Sequence, residues 1–195
     1  MERNQTEQLK ISARAGFTLI ELVVSVSVIV MVTAIFLVNY KTTNQRTDLT
    51  MTAQKLVADI RTTQNYALGL ARYGAPGSTN VPLGGWGLHF DLNASGGNKQ
   101  YTIFADDDGD KTYSGPAEAV PEKGAEIISL PSNIVIDSLS VGSKMDVTFL
   151  PPDPITTITG SLQNYPQADI VLRNTANNDT KTIRLNFLGL AEVIN

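Results

Sequence analysis

The sequence predicts an α+β protein, in which one long N-terminal helix is followed by an antiparallel β-sheet head. Two observations support this fold class. Apolar residues run almost continuously from Phe17 and then recur at helical spacing as far as Gly74, with no proline between. After Gly74, short segments of alternating apolar and polar residues are separated by turn residues, which is typical of strands. This order predicts a sheet that packs its apolar face on the helix.

The composition limits the class of function. The chain has 195 residues, enough for one globular domain and an attached segment. Its net charge of −4 argues against a protein that binds nucleic acid through bulk positive charge. Because the chain has no cysteine, disulfides, cysteine nucleophiles and zinc–thiolate sites are excluded. Its single histidine, His89, excludes a histidine cluster.

The first apolar run is long enough to cross a membrane. It covers 22 residues, 17–38, and Glu21 is its only charged residue. A helix of that length extends about 33 Å, slightly more than a hydrocarbon core of about 30 Å. The basic residues Arg3, Lys10 and Arg14 precede the run. They predict a cytoplasmic N-terminus and a C-terminal domain on the other side of the membrane.

The helix is predicted to continue beyond this run. Residues 39–74 carry an amphipathic stripe in steps of mostly three and four residues. Gly74 and Pro76 predict the end of the helix. The alternative is two separate helices with a break at residues 39–44, where the sequence has low helix propensity. The stripe consists of Leu49, Ala53, Leu56, Val57, Ile60, Gln64, Ala67 and Ala71.

Residues 75–195 are predicted to form the β-rich head. GWGLHFDL alternates Trp86, Leu88 and Phe90 with polar residues, and KQYTIFAD is its predicted hairpin partner. Residues 151–167 contain several prolines and predict a long loop or an excursion of the chain at a sheet edge. Further strands are predicted at GAEIISL, NIVIDSLSV, MDVTFL, ADIVLRN and TKTIRLNFLG.

Three interpretations of the N-terminal segment compete. A secretory signal peptide would have a shorter apolar region ending in a small-residue cleavage site, which residues 38–40 do not supply. A plain membrane anchor explains the length but leaves the Glu21 carboxylate as a cost of about 2.5–3.5 kcal/mol or less, depending on its depth in the membrane. The third interpretation accounts for both Gly16 and Glu21.

The sequence GFTLIEL, residues 16–22, resembles the cleavage and N-methylation motif of type IV prepilins and type II secretion pseudopilins. A short polar and basic leader ends in glycine, phenylalanine follows, and Thr-Leu-Ile-Glu-Leu opens the apolar helix. The resemblance implies that a prepilin peptidase cuts between Gly16 and Phe17, and that the new Phe17 amine is methylated. Removal of 16 residues from 195 would leave 179.

The same resemblance implies the location and partners of the chain. It would lie in the bacterial inner membrane as a single-pass protein with a periplasmic or extracellular head, and then enter a pilus or pseudopilus. Its partners would be the prepilin peptidase/methyltransferase, membrane lipid, the inner-membrane assembly platform and other pilin or pseudopilin subunits.

Glu21 has a physical role in this interpretation. It lies four residues after Phe17, on the same helical face and one turn away. A carboxylate in an apolar setting is tolerated mainly when it is paired. The partner would be the Phe17 amine of the same subunit or, as the family implies, of a neighbour. The hypothesis is that this pair sets the register of subunit addition.

The C-terminal half resembles one particular branch of this family. GGWGLHFD, YTIFADDDGDKTYSG and TIRLNFLGLAEVI are similar to segments of the GspH/FimT-type minor pilins and pseudopilins. A structural subunit without catalysis of its own is therefore expected. The alternative is a membrane-tethered module that binds calcium, sugar or DNA and carries a prepilin-type signal. The sequence shows no constellation for a tethered enzyme.

An acidic turn follows the second predicted strand. Asp106, Asp108 and Asp110 alternate as the first ligands of a calcium-binding EF-hand loop do. The pattern then fails, because Gly109 precedes the position that needs glycine and Ala117 stands where the closing glutamate belongs. We therefore favour a turn held by aspartate side chains over a calcium site, and expect no cofactor.

Two further features have simple interpretations. His89 is expected on the sheet surface rather than as a catalyst, since no nucleophile pattern accompanies it. Arg173, Lys181 and Arg184 form a candidate basic patch for DNA near the C-terminus. Solvent-facing strand positions are the favoured interpretation of these three residues.

Overall fold

A computed structural model describes residues 16–74, 77–115, 126–151, 155–160 and 164–194, with the side chains of 38–44 and 155 excepted. The predicted leader up to residue 15, Pro76 and Ala117 lie outside the described residues. The chain divides into two compact units, Met1–Lys41 and Thr42–Asn195. We call the second unit the head.

Helix α1 is the first element, Leu19–Leu68, with 50 residues. Its apolar stretch Leu19–Leu37 is 19 residues long, has a mean hydropathy of 2.6, and is long and apolar enough to cross a membrane. None of this stretch is buried within the protein.

Within the residues that the structure describes, ten strands follow the helix and form two antiparallel sheets. Sheet A has the order β3-β2-β1-β5-β6-β7, and sheet B has the order β10-β9-β8-β4. The α+β class, with an N-terminal apolar helix and antiparallel sheets, is therefore confirmed. The strands are β1 Gly85–Asp91, β2 Gln100–Asp106, β3 Glu126–Ser129, β4 Ile134–Leu139, β5 Lys144–Leu150, β6 Ile155–Thr159, β7 Asn164–Tyr165, β8 Gln167–Asn174, β9 Thr180–Asn186 and β10 Ala191–Ile194.

The core of the head joins the second half of α1 to both sheets. Strand β1 alternates as its sequence predicts, with Trp86, Leu88 and Phe90 buried on the core side. The Trp86 indole donates from Nε1 to the Ala71 carbonyl at 3.1 Å, and its ring lies 5.1 Å from that of Tyr66. The helical contribution to this core is Leu49, Ala53, Leu56, Val57, Ile60 and Ala67.

The helix ends at Leu68, before the predicted stop at Gly74. Leu70 adopts a left-handed conformation with φ 49°, and its N–H donates to the Ala67 carbonyl at 3.1 Å. The Ala71 N–H donates to the Tyr66 carbonyl at 2.8 Å. These bonds form a Schellman cap, which satisfies the last carbonyls and turns the chain toward sheet A. The sequence predicted a later end of the helix because leucine, and not glycine, occupies the left-handed position.

Residues 151–167 are not a long loop, so that alternative of the prediction was wrong. They contain β6 and β7, which extend sheet A at its edge as an excursion of the chain. Strand β6 pairs with β5 over Leu150↔Ile155 to Asp146↔Thr159, and β7 pairs with β6. The β-branched run of threonine and isoleucine explains this strand. Pro151 and Pro166, the two prolines of this range that the structure describes, lie outside the paired positions and remove no ladder hydrogen bond.

Candidate functional site

The segment around Gly16, Phe17 and Glu21 forms the start of α1. Gly16, Phe17 and Thr18 precede the first helical residue, and the Phe17 side chain is 88% exposed. Glu21 Oε2 accepts hydrogen bonds from the Thr18 N–H and from Thr18 Oγ1, both at 2.9 Å. Thr18 Oγ1 in turn accepts from the Glu21 N–H at 3.3 Å. This reciprocal arrangement is a capping box, which begins the helix at Leu19.

The sequence reasoning missed the role of Thr18. A threonine followed three residues later by glutamate, just before an apolar run, is the pattern that would have revealed it. In the described part of the chain Glu21 is bonded to Thr18 and has no bond to Phe17. Both bonds use the same carboxylate oxygen, so Oε1 remains available for a cation. Thr18 thus orients the Glu21 carboxylate and removes part of its cost in an apolar setting.

The helix that follows the cap presents apolar side chains on every side. All residues of Leu19–Leu37 are exposed, including Met31 and Phe36. A helix that is hydrophobic all round is stable only in lipid or among other apolar helices. Its length, apolar composition and exposure are compatible with a single membrane span.

The acidic turn is held by its own backbone. Asp106 accepts from the Gly109 and Lys111 N–H groups, each at 2.8 Å. Asp108 accepts from the Asp110 N–H at 3.1 Å, and Asp110 accepts from the N–H of residue 112 at 2.7 Å. One carboxylate oxygen from each of Asp106, Asp108 and Asp110 lies within 4.8 Å of the others. Three carboxylates supply only part of the six to eight oxygens that calcium requires.

Asp106 anchors this turn inside the protein. Its side chain is fully buried, and burial raises the pKa of the Asp106 carboxyl above its ordinary value, although its two backbone donors act in the opposite direction. A Cβ atom on Gly84 would lie 1.7 Å from Asp106 Oδ2, so glycine is required where the chain enters β1. These contacts favour a structural role for the aspartates, as the sequence predicts.

Removing the Asp106 carboxylate should destabilise the head. Asp106→Ala leaves two N–H donors without their acceptor, which costs about 1–3 kcal/mol of unfolding free energy. Asp108→Ala, at an exposed position, should change it by less than about 0.5 kcal/mol. Thermal melts of the full chain in detergent, with and without calcium, measure both effects. A calcium-dependent rise in Tm that Asp108→Ala abolishes would instead indicate a metal site.

His89 is buried, so the prediction of a sheet-surface position was wrong. It lies on the face of sheet A that points away from the core, and only 9% of it is exposed. Its Nδ1 lies 2.6 Å from Asp146 Oδ1 on β5, directly across the strand pair. The Tyr113 ring covers it with a centroid distance of 4.7 Å and also contacts Phe104 at 5.5 Å. The segment after the acidic turn therefore folds back over this face.

Two of the three residues of the candidate basic patch, Arg173 and Arg184, are held in ion pairs. Arg173 Nε donates to Asp137 at 2.6 Å. Arg184 donates to both oxygens of Asp169, at 2.9 and 3.0 Å, and this bond raises the pKa of its guanidinium above the ordinary value. Lys181 lines a surface groove beside Asp179. An arrangement of paired charges offers little net attraction to phosphates.

No protein-family model, curated protein or solved structure matches this chain.

Proposed function

We propose that this chain is a structural subunit, a minor pilin or pseudopilin, of a type IV filament or type II secretion pseudopilus. The observation that carries the proposal is the segment GFTLIEL, in which a glycine and an exposed phenylalanine precede a capped, fully exposed apolar helix. The chain performs no catalysis of its own. It is a substrate of prepilin peptidase, with Gly16 and Phe17 at the processed bond and Phe17 as the methylated residue.

The apolar stretch Leu19–Leu37 has two successive environments in this proposal. In the inner membrane it is a single-pass anchor, with its N-terminus in the cytoplasm and the head on the periplasmic side. When the assembly platform extracts the subunit, the same surface packs among the helices of other subunits. Its uniform exposure within one chain supports this double use.

Glu21 acts at the moment of this transfer. The peptidase leaves a cationic amine on Phe17, and the free oxygen of Glu21 accepts that group from a neighbouring subunit. Thr18 holds the carboxylate in place beforehand, which reduces the conformational freedom lost on pairing. The pair is stable because a carboxylate and an amine in apolar surroundings each need an opposite charge.

Changing Glu21→Ala should abolish filament incorporation while cleavage at Phe17 continues. We expect incorporation to fall by more than about tenfold, since loss of one partner of a buried pair costs about 3–5 kcal/mol. The measurement is the amount of the full chain in sheared filaments, with the processed mass taken from the membrane fraction. Normal incorporation of the alanine variant would refute the pairing role.

Two matched variants separate charge pairing from helix capping. Glu21→Gln keeps a capping-box side chain but loses the charge, so it should fail as Glu21→Ala does. Thr18→Val removes the cap and keeps the charge, and Thr18→Ser restores the cap. Normal assembly of Glu21→Gln together with failure of Thr18→Val would assign the site to capping alone.

A further inference from the structure

Two segments of the chain have the sequence that marks an asparagine for the attachment of sugar. They are residues 93–95, Asn-Ala-Ser, and residues 178–180, Asn-Asp-Thr, both of the form Asn-X-Ser/Thr. The acceptor in this motif is the asparagine side chain, and a hydroxyl two residues later completes it. The motif is short, so the surroundings of each asparagine decide whether a transferase can use it.

The first motif lies on an exposed loop between β1 and β2. Asn93, Ala94 and Ser95 are all exposed. A Cβ atom on the next residue, Gly96, would meet nothing within 4 Å, so the loop has open space around it. A bulky group attached here would not disturb the core of the head.

The groups that sugar transfer uses are accessible on this loop. Asn93 Nδ2 donates one hydrogen to Ser143 Oγ at 2.8 Å, and its second hydrogen has no partner among the described residues. The Ser95 hydroxyl likewise forms no hydrogen bond within the described ranges. Asp91 Oδ1 accepts from the Asn93 N–H at 2.9 Å, which bends the chain at the asparagine. The acceptor nitrogen and the hydroxyl therefore both face solvent on one short loop.

The second motif is built into the hairpin of β8 and β9. Asn178 has a left-handed backbone with φ 60°, and its N–H donates to the Asn174 carbonyl at 2.8 Å. Its Oδ1 accepts from Arg173 at 3.3 Å. Thr180 is the first residue of β9 and pairs with Arg173. A transferase that binds the backbone of this motif would first have to open the end of the hairpin.

We propose that Asn93 is a site of N-linked glycosylation. The donor is an oligosaccharide carried on a membrane lipid diphosphate. A bond forms between Asn93 Nδ2 and the anomeric carbon of the first sugar, while the bond from that carbon to the diphosphate oxygen breaks. The amide loses one proton to a base of the transferase, and the lipid diphosphate leaves with the electron pair of the broken bond.

A glycan at Asn93 deepens the proposed function and rests on it, since the head meets such a transferase only if it is exported across the membrane. An attached glycan is bulky and solubilising. The loop that carries it therefore stays outside the contacts between neighbouring subunits. This assigns the loop between β1 and β2 to the outer surface of the filament.

Trypsin separates the two motifs, which permits a direct test. Cleavage after lysine and arginine gives one peptide of residues 73–99, which contains Asn93, and another of residues 174–181, which contains Asn178. The tagged full chain is recovered from the membranes of its own cells, and both peptides are analysed by mass spectrometry. We expect residues 73–99 to be heavier by a whole number of sugar residues and residues 174–181 to keep their polypeptide mass.

Matched variants identify the acceptor atom. Asn93→Gln and Ser95→Ala should each remove the whole mass increment, whereas Ser95→Thr and Asn178→Gln should keep it. All these positions are exposed, so the variants should fold, and circular dichroism spectra like that of the unaltered chain verify this. An increment that survives Asn93→Gln would place the sugar on a hydroxyl of the peptide and overturn the proposal.

The unaltered chain gives the remaining decisive results. Sugar on residues 174–181 alone would overturn the choice of Asn93. A chain that begins at Phe17 but has an unmodified peptide 73–99 contradicts glycosylation alone. A chain that still begins at Met1 contradicts the proposed function, whatever the peptide carries.

Discussion

Replacing Gly16 by leucine should leave the chain at its full 195 residues when it is expressed with a prepilin peptidase. The unaltered chain should be recovered with the 179 residues that begin at Phe17. A side chain at Gly16 would meet nothing within 4 Å in this protein, so the substitution does not disturb its own structure. Loss of cleavage would therefore come from the peptidase, which must accommodate the residue before the cut. Intact mass measurement of the membrane fraction distinguishes the two products.

Gly16→Ala is the matched control for this prediction. Its single methyl group should permit some cleavage, so both masses should appear. If the leucine variant is fully converted to the 179-residue form, the peptidase does not require glycine before the bond that it cuts. A product that begins elsewhere than Phe17 would contradict the processing scheme itself.

Truncating Trp86→Ala should cause the largest loss of stability in the head. The side chain is buried, contacts Tyr66 of α1, and bonds to Ala71 just beyond the helix. Its removal should cost about 3–5 kcal/mol, a large share of the about 5–15 kcal/mol typical of a folded protein. Urea unfolding of the full chain in detergent, followed by circular dichroism, measures the change. Circular dichroism is suitable because Trp86 is the chain's only tryptophan, so the variant has no tryptophan fluorescence with which to follow unfolding.

Trp86→Phe separates volume from hydrogen bonding. It keeps most of the apolar contact but leaves the Ala71 carbonyl without its donor, and should cost about 1–3 kcal/mol. A loss below about 1 kcal/mol for Trp86→Ala would show that the end of α1 contributes little to the core.

Short-range patterns predicted most of the elements. Alternation placed Trp86, Leu88 and Phe90 on one face of β1 because side-chain direction in a strand depends only on position. The hairpin of β1 and β2 followed from segment order and turn residues, and the observed register confirms it. The excursion of β6 and β7 was left open, since prolines obscured a short β-branched strand.

Contacts between distant residues were not predictable in the same way. The His89–Asp146 pair joins residues 57 positions apart, and neither residue alone indicates that Tyr113 covers the histidine. The cap at Leu70 depends on a left-handed backbone that leucine seldom adopts, so local propensity pointed to the later Gly74. The capping box of Thr18 and Glu21 is local, and a threonine three residues before a glutamate is its sequence pattern.

The sequence by itself determined the α+β class, the 19-residue apolar stretch Leu19–Leu37 and the N-terminal pattern on which the proposed function rests. These properties depend on composition and on residues only a few positions apart, so they are already present in the unfolded chain. Only the tertiary structure decided which charges are paired, which face of sheet A is covered, and that the turn between β9 and β10 packs on α1. Gln64 and Gly189, which hold that turn in place, are 125 residues apart. Their contact exists only because the sheets bring the end of the chain back to α1.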